Sequence, residues 1–143
     1  MTVSMILAAK GREVVSVEPN ATLSAAVALL AAKRIGAVLV LGVDHRIVGI
    51  LSERDIVRAL AERGAGALDE PVSRVMTRKV STCTEGETIA SIMERMTEGK
   101  FRHVPVVEQG RLVGMVSIGD VVKQRVAEME RDSAAMRDYI LTA

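Results

Sequence analysis

The stretch GILSERDIV, residues 49–57, returns as GMVSIGDVV at residues 114–122, sixty-five positions later (114 − 49 = 65). Each copy keeps a Gly, two apolar residues, a Ser, two spacers, an Asp and two apolar residues. The likeness extends outward until residues 14–60 align with residues 80–125. Thr22 meets Thr88, Val38 meets Val104 and Val40 meets Val106 at an offset of 66; Arg46, Val48, Gly49, Ser52 and Asp55 meet Arg111, Val113, Gly114, Ser117 and Asp120 at 65. The one-residue slip falls between GVDH and EQG, turn residues where a loop tolerates a deletion. A lead-in recurs as well, VSMIL at 3–7 and VSRVM at 72–76.

Each repeat reads as strand, helix, strand, strand, helix. VVSV is a short β-branched run, and EPN breaks it before a helix that starts at Thr22, as its counterpart starts at Thr88. TLSAAVALLAAKR carries apolar residues on helical spacing. Gly36 and Gly99 stand near the helix ends, where left-handed caps are common. AVLVL and RIVGIL form a hairpin across a polar turn, and VPVVEQGRLVGMV repeats it. The closing helices begin near Glu53 and Ile118. The first strand and the strand after the helix pair in parallel through a right-handed crossover. ERGAGALDEP links the halves. Segments 3–63 and 72–128 are the two expected domains, with 129–143 a helical tail whose Val126, Met129, Met136 and Ile140 make a broken apolar stripe suited to docking or dimerisation.

The totals exclude several function classes. The 143 residues are 49% hydrophobic with one Tyr and one Phe, so the core is aliphatic. Nineteen Lys and Arg against eighteen Asp and Glu disfavour nucleic acid as a partner, which wants a basic face. The single cysteine, Cys83, permits no intrachain disulfide and reads as a small buried hydrophobe. No secretory signal and no membrane-length apolar run stand in the sequence, so a cytoplasmic protein without a membrane partner is expected. No Walker loop, dinucleotide fingerprint or catalytic set is visible, and Cys83 with His103 falls short of the roughly four ligands zinc wants. The expectation is a protein with no catalytic residues and no metal.

The doubled phrase admits two accounts. Ser52 before a helix and Asp55 three residues on make a capping box, and Ser117 with Asp120 repeats it. The same geometry also builds a nucleotide cradle, because helix-start amides attract phosphate and a carboxylate suits paired ribose hydroxyls. A carboxylate bound to a sugar cannot fully cap its helix, so the two roles compete.

The chain resembles a tandem pair of CBS domains (a Bateman module), over about residues 3–126, with the doubled Gly-x-x-Ser-x-x-Asp phrase as its most specific part. AAKGREVVSV, SERD and FRHVPV are similar to a bacterial subgroup of stand-alone CBS pairs. The resemblance implies an α/β fold of two pseudo-twofold-related units packed sheet to sheet, with two clefts between the repeats. It also implies a homodimer with helices at its interface, and a regulatory, energy-sensing role. The implied ligand is an adenine nucleotide, AMP or in some cases ATP or NADH, whose occupancy an unknown regulated protein reads. By this resemblance Asp55 and Asp120 hold ribose, and Ser52 and Ser117 help with phosphate. Ser16 or Thr82 contacts the base, and backbone at Ala37 and Val38, or at His103, Val104 and Pro105, reads its edge.

The halves are unequal. Arg102 and His103 stand where the first repeat has Gly36 and Ala37, and an Arg fork suits phosphate. Arg54 either reaches phosphate or pairs along its own helix with Glu53 or Glu62. Lys10 and Arg12 either close over a ligand or are ordinary loop charges. The cleft served by Arg102 is expected to be the tighter one for a phosphorylated ligand.

Overall fold

The computed structural model describes residues 1–142. They divide into two compact units: residues 14–80, and residues 1–13 together with residues 81 onward. The contiguous segments 3–63 and 72–128 express the period of the sequence, whereas the compact units exchange their lead-ins. VSMIL folds with the second repeat, and VSRVM folds with the first.

In the unit of residues 14–80, β1 (Ser16–Val17) leads to α2 (Leu23–Lys33), β2 (Ala37–Leu41), β3 (Ile47–Ser52) and α3 (Glu53–Arg63); α1 (Val3–Lys10) precedes them in the chain. The sheet order is β1-β2-β3, parallel between the first pair and antiparallel between the second. β2 is the central strand, which is why AVLVL is a continuous apolar run rather than an alternating one. The Thr22 hydroxyl caps α2 by accepting from the Ala25 amide at 3.1 Å. Leu23, Ala26 and Leu30 then fall on one helical face and are buried with Val38, Val40, Leu51, Ile56 and Ala59. Burial of each large aliphatic side chain contributes about 1.5–3 kcal/mol. The segment ERGAGALDEP is more than a link. Gly64–Asp69 forms a 3-10 turn whose Ala67 is buried in this core.

The other unit comprises α1, α4 (Ile89–Gly99), β4 (His103–Glu108), β5 (Arg111–Ser117) and α5 (Ile118–Thr142). Its core gathers Val3, Ile6 and Leu7 of α1 with Cys83, Ile89, Ile92, Met96, Val104, Val106, Val116 and Val121. The strand expected at 80–83 contracts to one parallel bridge, Cys83 to Val106. The backbone on either side of Cys83 is taken by side chains. The Thr82 carbonyl accepts from Arg95 Nη1 at 2.8 Å, and the Thr84 amide donates to Glu87 Oε2 at 2.7 Å. Both hairpins carry a register shift at equivalent places, Val40/Leu41 and Val106/Val107. The sequence slip sits in the turns beyond them. One turn is a 3-10 turn, Val43–His45; the other runs through Gln109 and Gly110, both at positive φ.

The left-handed caps fall on Arg34 and Lys100 rather than on Gly36 and Gly99. The Arg34 amide donates to Ala31 and the Ile35 amide to Leu30. This Schellman arrangement needs an apolar residue just beyond the cap. Ile35 and its counterpart Phe101 supply it, each packing on its own core. Gly99 is needed for a different reason: a Cβ there would collide with the Phe101 ring. The closing helix and the tail of the second repeat are one continuous helix, α5.

Candidate functional site

Both Ser-x-x-Asp phrases sit where a strand delivers the chain to a helix start. In the first, the Ser52 amide donates to Asp55 Oδ2 at 2.9 Å and Ser52 Oγ donates to the same oxygen at 3.1 Å. The Asp55 amide returns a bond to Ser52 Oγ at 3.4 Å, completing a capping box. The other carboxylate oxygen, Oδ1, accepts from Thr77 Oγ1 at 3.0 Å. Asp55 is only 7% exposed. Its two oxygens are both engaged within its own unit.

The second phrase repeats the box and then departs from it. The Ser117 amide donates to Asp120 Oδ2 at 2.9 Å and the Asp120 amide to Ser117 Oγ at 3.2 Å. In place of a threonine, Lys10 Nζ at the end of α1 approaches Asp120 Oδ2 at 2.7 Å and also donates to the Met115 carbonyl at 2.9 Å. The Asp120 side chain is 24% exposed and that of Lys10 36%. Burial pushes the Asp120 carboxyl up. The hydrogen bonds from Lys10 and the Ser117 amide, with the lysine's charge, outweigh it and hold the carboxyl below its ordinary value.

The flanking residues fall in register. His103 opens β4 opposite Ser117, as Ala37 opens β2 opposite Ser52. The Arg102 carbonyl accepts from the Ile118 amide at 2.8 Å, and the Gly36 carbonyl from the Glu53 amide at 3.0 Å. The same backbone clasp thus places a cationic side chain beside α5 and none beside α3. The structure brings Lys10, Arg102, His103, Ser117 and Asp120 to one helix start, with Arg102 exposed and His103 half-buried.

The remaining expected site residues are dispersed. Arg12 pairs with Glu85 instead of Asp120. Arg54 is exposed on the first turn of α3, and Ser16 is exposed on β1. Thr82 is exposed, while Ala37, Val38, Val104 and Pro105 are buried strand residues that could offer backbone groups only. Cys83 is buried, and desolvation, reinforced by the Glu87 charge, pushes its thiol up to about 12. Among the described residues no cluster of His, Cys, Asp or Glu is fit to hold a metal, and no helix is long and apolar enough to cross a membrane.

Thr77 and Lys10 as partners of the two acids escape a linear reading. The signal was in the lead-ins, since VSRVM precedes Thr77 directly and VSMIL precedes Lys10 by a short interval. The conserved spacing also explains Gly49 and Gly114. A Cβ at Gly49 would lie 2.5 Å from Met76 Sδ, and one at Gly114 would lie 2.7 Å from Leu7 Cδ2. Each glycine therefore seats the last residue of a lead-in.

A family model described as CBS domain matches residues 10–62 and 72–127. A CBS-domain containing protein of Agrobacterium tumefaciens is 48% identical, with a TM-score of 0.85 over 87% of this chain and 92% of that one. The CBS domain pair of protein MJ0100, solved in complex with 5-methylthioadenosine and S-adenosyl-L-methionine, is 25% identical, with a TM-score of 0.79 over 90% of this chain and 98% of that one. An uncharacterized 17.7 kDa protein of Acidianus ambivalens is 35% identical over 108 residues, 75% of this chain; the chain spans 64% of that protein's length.

Proposed function

The chain belongs to the CBS domain family, and from that premise we propose that it is a regulatory, non-catalytic module that binds an adenine nucleotide, AMP first and ATP or NADH next. Occupancy would pass to a regulated partner protein through a change of conformation. The observation that carries the reading is the helix start of α5. There a hydroxyl, a partly exposed carboxylate, Lys10, Arg102 and His103 stand together. The adenosine ligands of protein MJ0100 support the same ligand class.

The chemistry follows from the groups present. Ribose hydroxyls donate to the Asp120 carboxylate, displacing the Lys10 ammonium. The freed ammonium, the Arg102 guanidinium and the Ser117 hydroxyl then face the phosphate. Because Lys10 ends α1, ligand binding exchanges an internal ion pair for a bridged one, and α1 is the element that responds. A ligand shifts an equilibrium only by its differential affinity for the two states, and the Lys10–Asp120 pair is where that difference arises.

Titration calorimetry of the full chain with AMP, ATP, NADH, 5-methylthioadenosine and S-adenosyl-L-methionine tests this. Wild type is expected to bind at least one, and Asp120→Ala and Arg102→Ala to weaken it tenfold or more. No binding, or binding unchanged in both variants, overturns the proposal. The competing reading is a protein-interaction scaffold in which the Ser-x-x-Asp phrases only cap helices. Asp55, with both oxygens engaged and almost no exposure, favours it for the first repeat. A thermal-shift screen separates the two, since a ligand at a hundred times its Kd stabilises by about 2.7 kcal/mol and a scaffold gains nothing.

A further inference from the structure

A pocket of about 620 Å³ opens at the far end of α3, lined by Arg63, Glu70, Ser73, Arg74, Met76 and Arg78, all within residues 14–80. Arg63 ends α3, ten residues beyond Glu53 (63 − 53 = 10). At 1.5 Å per residue that is about 15 Å from the helix start. The backbone that carries the pocket is fixed without help from the arginines. The Val72 amide donates to the Ala21 carbonyl at 2.8 Å, the Ser73 amide to that of Pro19 at 3.0 Å and the Thr77 amide to that of Ile50 at 2.8 Å. The repeat supplies an internal control. At an offset of 65 Arg63 meets Glu128, and at the lead-in offset of 69 Arg74 and Arg78 meet Met5 and Ala9. The fold therefore needs a basic residue at none of the three places, and the helix dipole of α3 accounts for Arg63 at most.

We propose that this pocket binds a small phosphorylated polyol, of the sugar phosphate class. Arg63 commits Nε to Glu70 Oε2 at 2.7 Å and Nη1 to Glu62 at 3.4 Å, which leaves Nη2 for a ligand. Arg78 holds the Ser73 carbonyl through Nη2 at 3.4 Å. Arg74 is exposed and, among the described residues, makes no hydrogen bond or ion pair. Three guanidiniums thus share the pocket with one carboxylate. Their forks match the oxygens of a phosphoryl group. The volume is far more than one phosphate fills and falls in the range of small-molecule sites. Glu70 Oε1 and the half-buried Ser73 hydroxyl remain to meet sugar hydroxyls. No aromatic ring lines the pocket and Met76 is its single apolar side chain, so a nucleobase finds no stacking surface. The proposal is independent of the nucleotide reading, which rests on the start of α5.

NMR titration of the full chain at physiological ionic strength, read at the arginine Nε–H signals, tests this with glucose 6-phosphate, inorganic phosphate and glucose as probes. Glucose 6-phosphate is expected to shift the signals of Arg63, Arg74 and Arg78 saturably, and glucose to shift none. Inorganic phosphate is expected to bind about fivefold more weakly or worse, the loss of one net hydrogen bond. Arg74→Gln combined with Arg78→Gln is expected to weaken glucose 6-phosphate by about tenfold or more while the urea midpoint stays unchanged, because two charge-assisted bonds are lost from exposed side chains. Asp120→Ala is expected to leave this binding untouched, which separates the pocket from the start of α5. No saturable shift, inorganic phosphate binding as tightly as the sugar phosphate, unchanged binding in the double Gln variant, or binding lost in Asp120→Ala would each overturn the proposal.

Discussion

One phrase, written twice, ends in two different states. At the start of α3 the acid is buried, and Ser52 and Thr77 use both its oxygens. At the start of α5 the acid lies partly open and is held by a lysine from α1. The capping geometry is common to both, so it is what the fold requires. The departure from it, Lys10 for Thr77 and Arg102 for Gly36, is what the proposed ligand site rests on. Repetition therefore separates structural need from chemical use within a single molecule.

The comparison can be broken first through the acids themselves. Asp55→Ala leaves the Thr77 hydroxyl and the Ser52 amide without their acceptor and is expected to cost about 2–4 kcal/mol, a lost cap plus an unsatisfied buried donor. Asp120→Ala, at a more open site, is expected to cost about 0.5–1 kcal/mol. Urea unfolding of the two variants measures both; equal costs would erase the distinction.

The glycines sharpen it next. Gly49→Ala presses on Met76 and, at 3.0 Å, on the Thr77 carbonyl, whereas Gly114→Ala meets only the tip of Leu7. Overpacking is expected to cost about 1–3 kcal/mol, with Gly49→Ala at the upper end because the Thr77 backbone cannot yield and Gly114→Ala at the lower end. Denaturation midpoints with unchanged slopes would confirm that only stability moved.

The smallest effect is the pH dependence of the Lys10–Asp120 pair. Its carboxyl is held below the ordinary value, so the pair's contribution is present above the unfolded value near pH 4 and is lost as pH falls through the folded one. Lys10→Met should therefore cost about 1 kcal/mol or less at neutral pH, given the exposure of both partners. The difference from wild type should close below about pH 4. A difference that persists in acid would show that Lys10 acts through its bond to Met115 rather than through Asp120.

Much of this was legible in the sequence, because the repeat carries its own internal control. The helix starts at Thr22, Thr88, Ser52 and Ser117 followed from capping chemistry, and Gly49 and Gly114 followed from their shared place in the phrase. The caps at Arg34 and Lys100 did not, because the position of the left-handed residue is set by where Ile35 and Phe101 must pack and not by the nearest glycine. The strand at 80–83 contracts to a bridge at Cys83 because Pro105, standing where Leu39 stands in the first repeat, has no amide to donate to Ser81 as Leu39 donates to Val15. The partners of the two acids were hidden for a third reason. Each lies on a lead-in that folds away from the repeat it precedes.

That exchange of lead-ins has a consequence for the order in which the chain can assemble during its own synthesis. Residues 14–80 emerge from the ribosome as a complete unit and can close while translation continues. Val3, Ile6 and Leu7 are made before that unit, yet they have their sheet and helices only once Val116 and Val121 have been added. Until then an apolar helix waits without a seat, so α1 is synthesised ahead of residues 14–80 and docks after them.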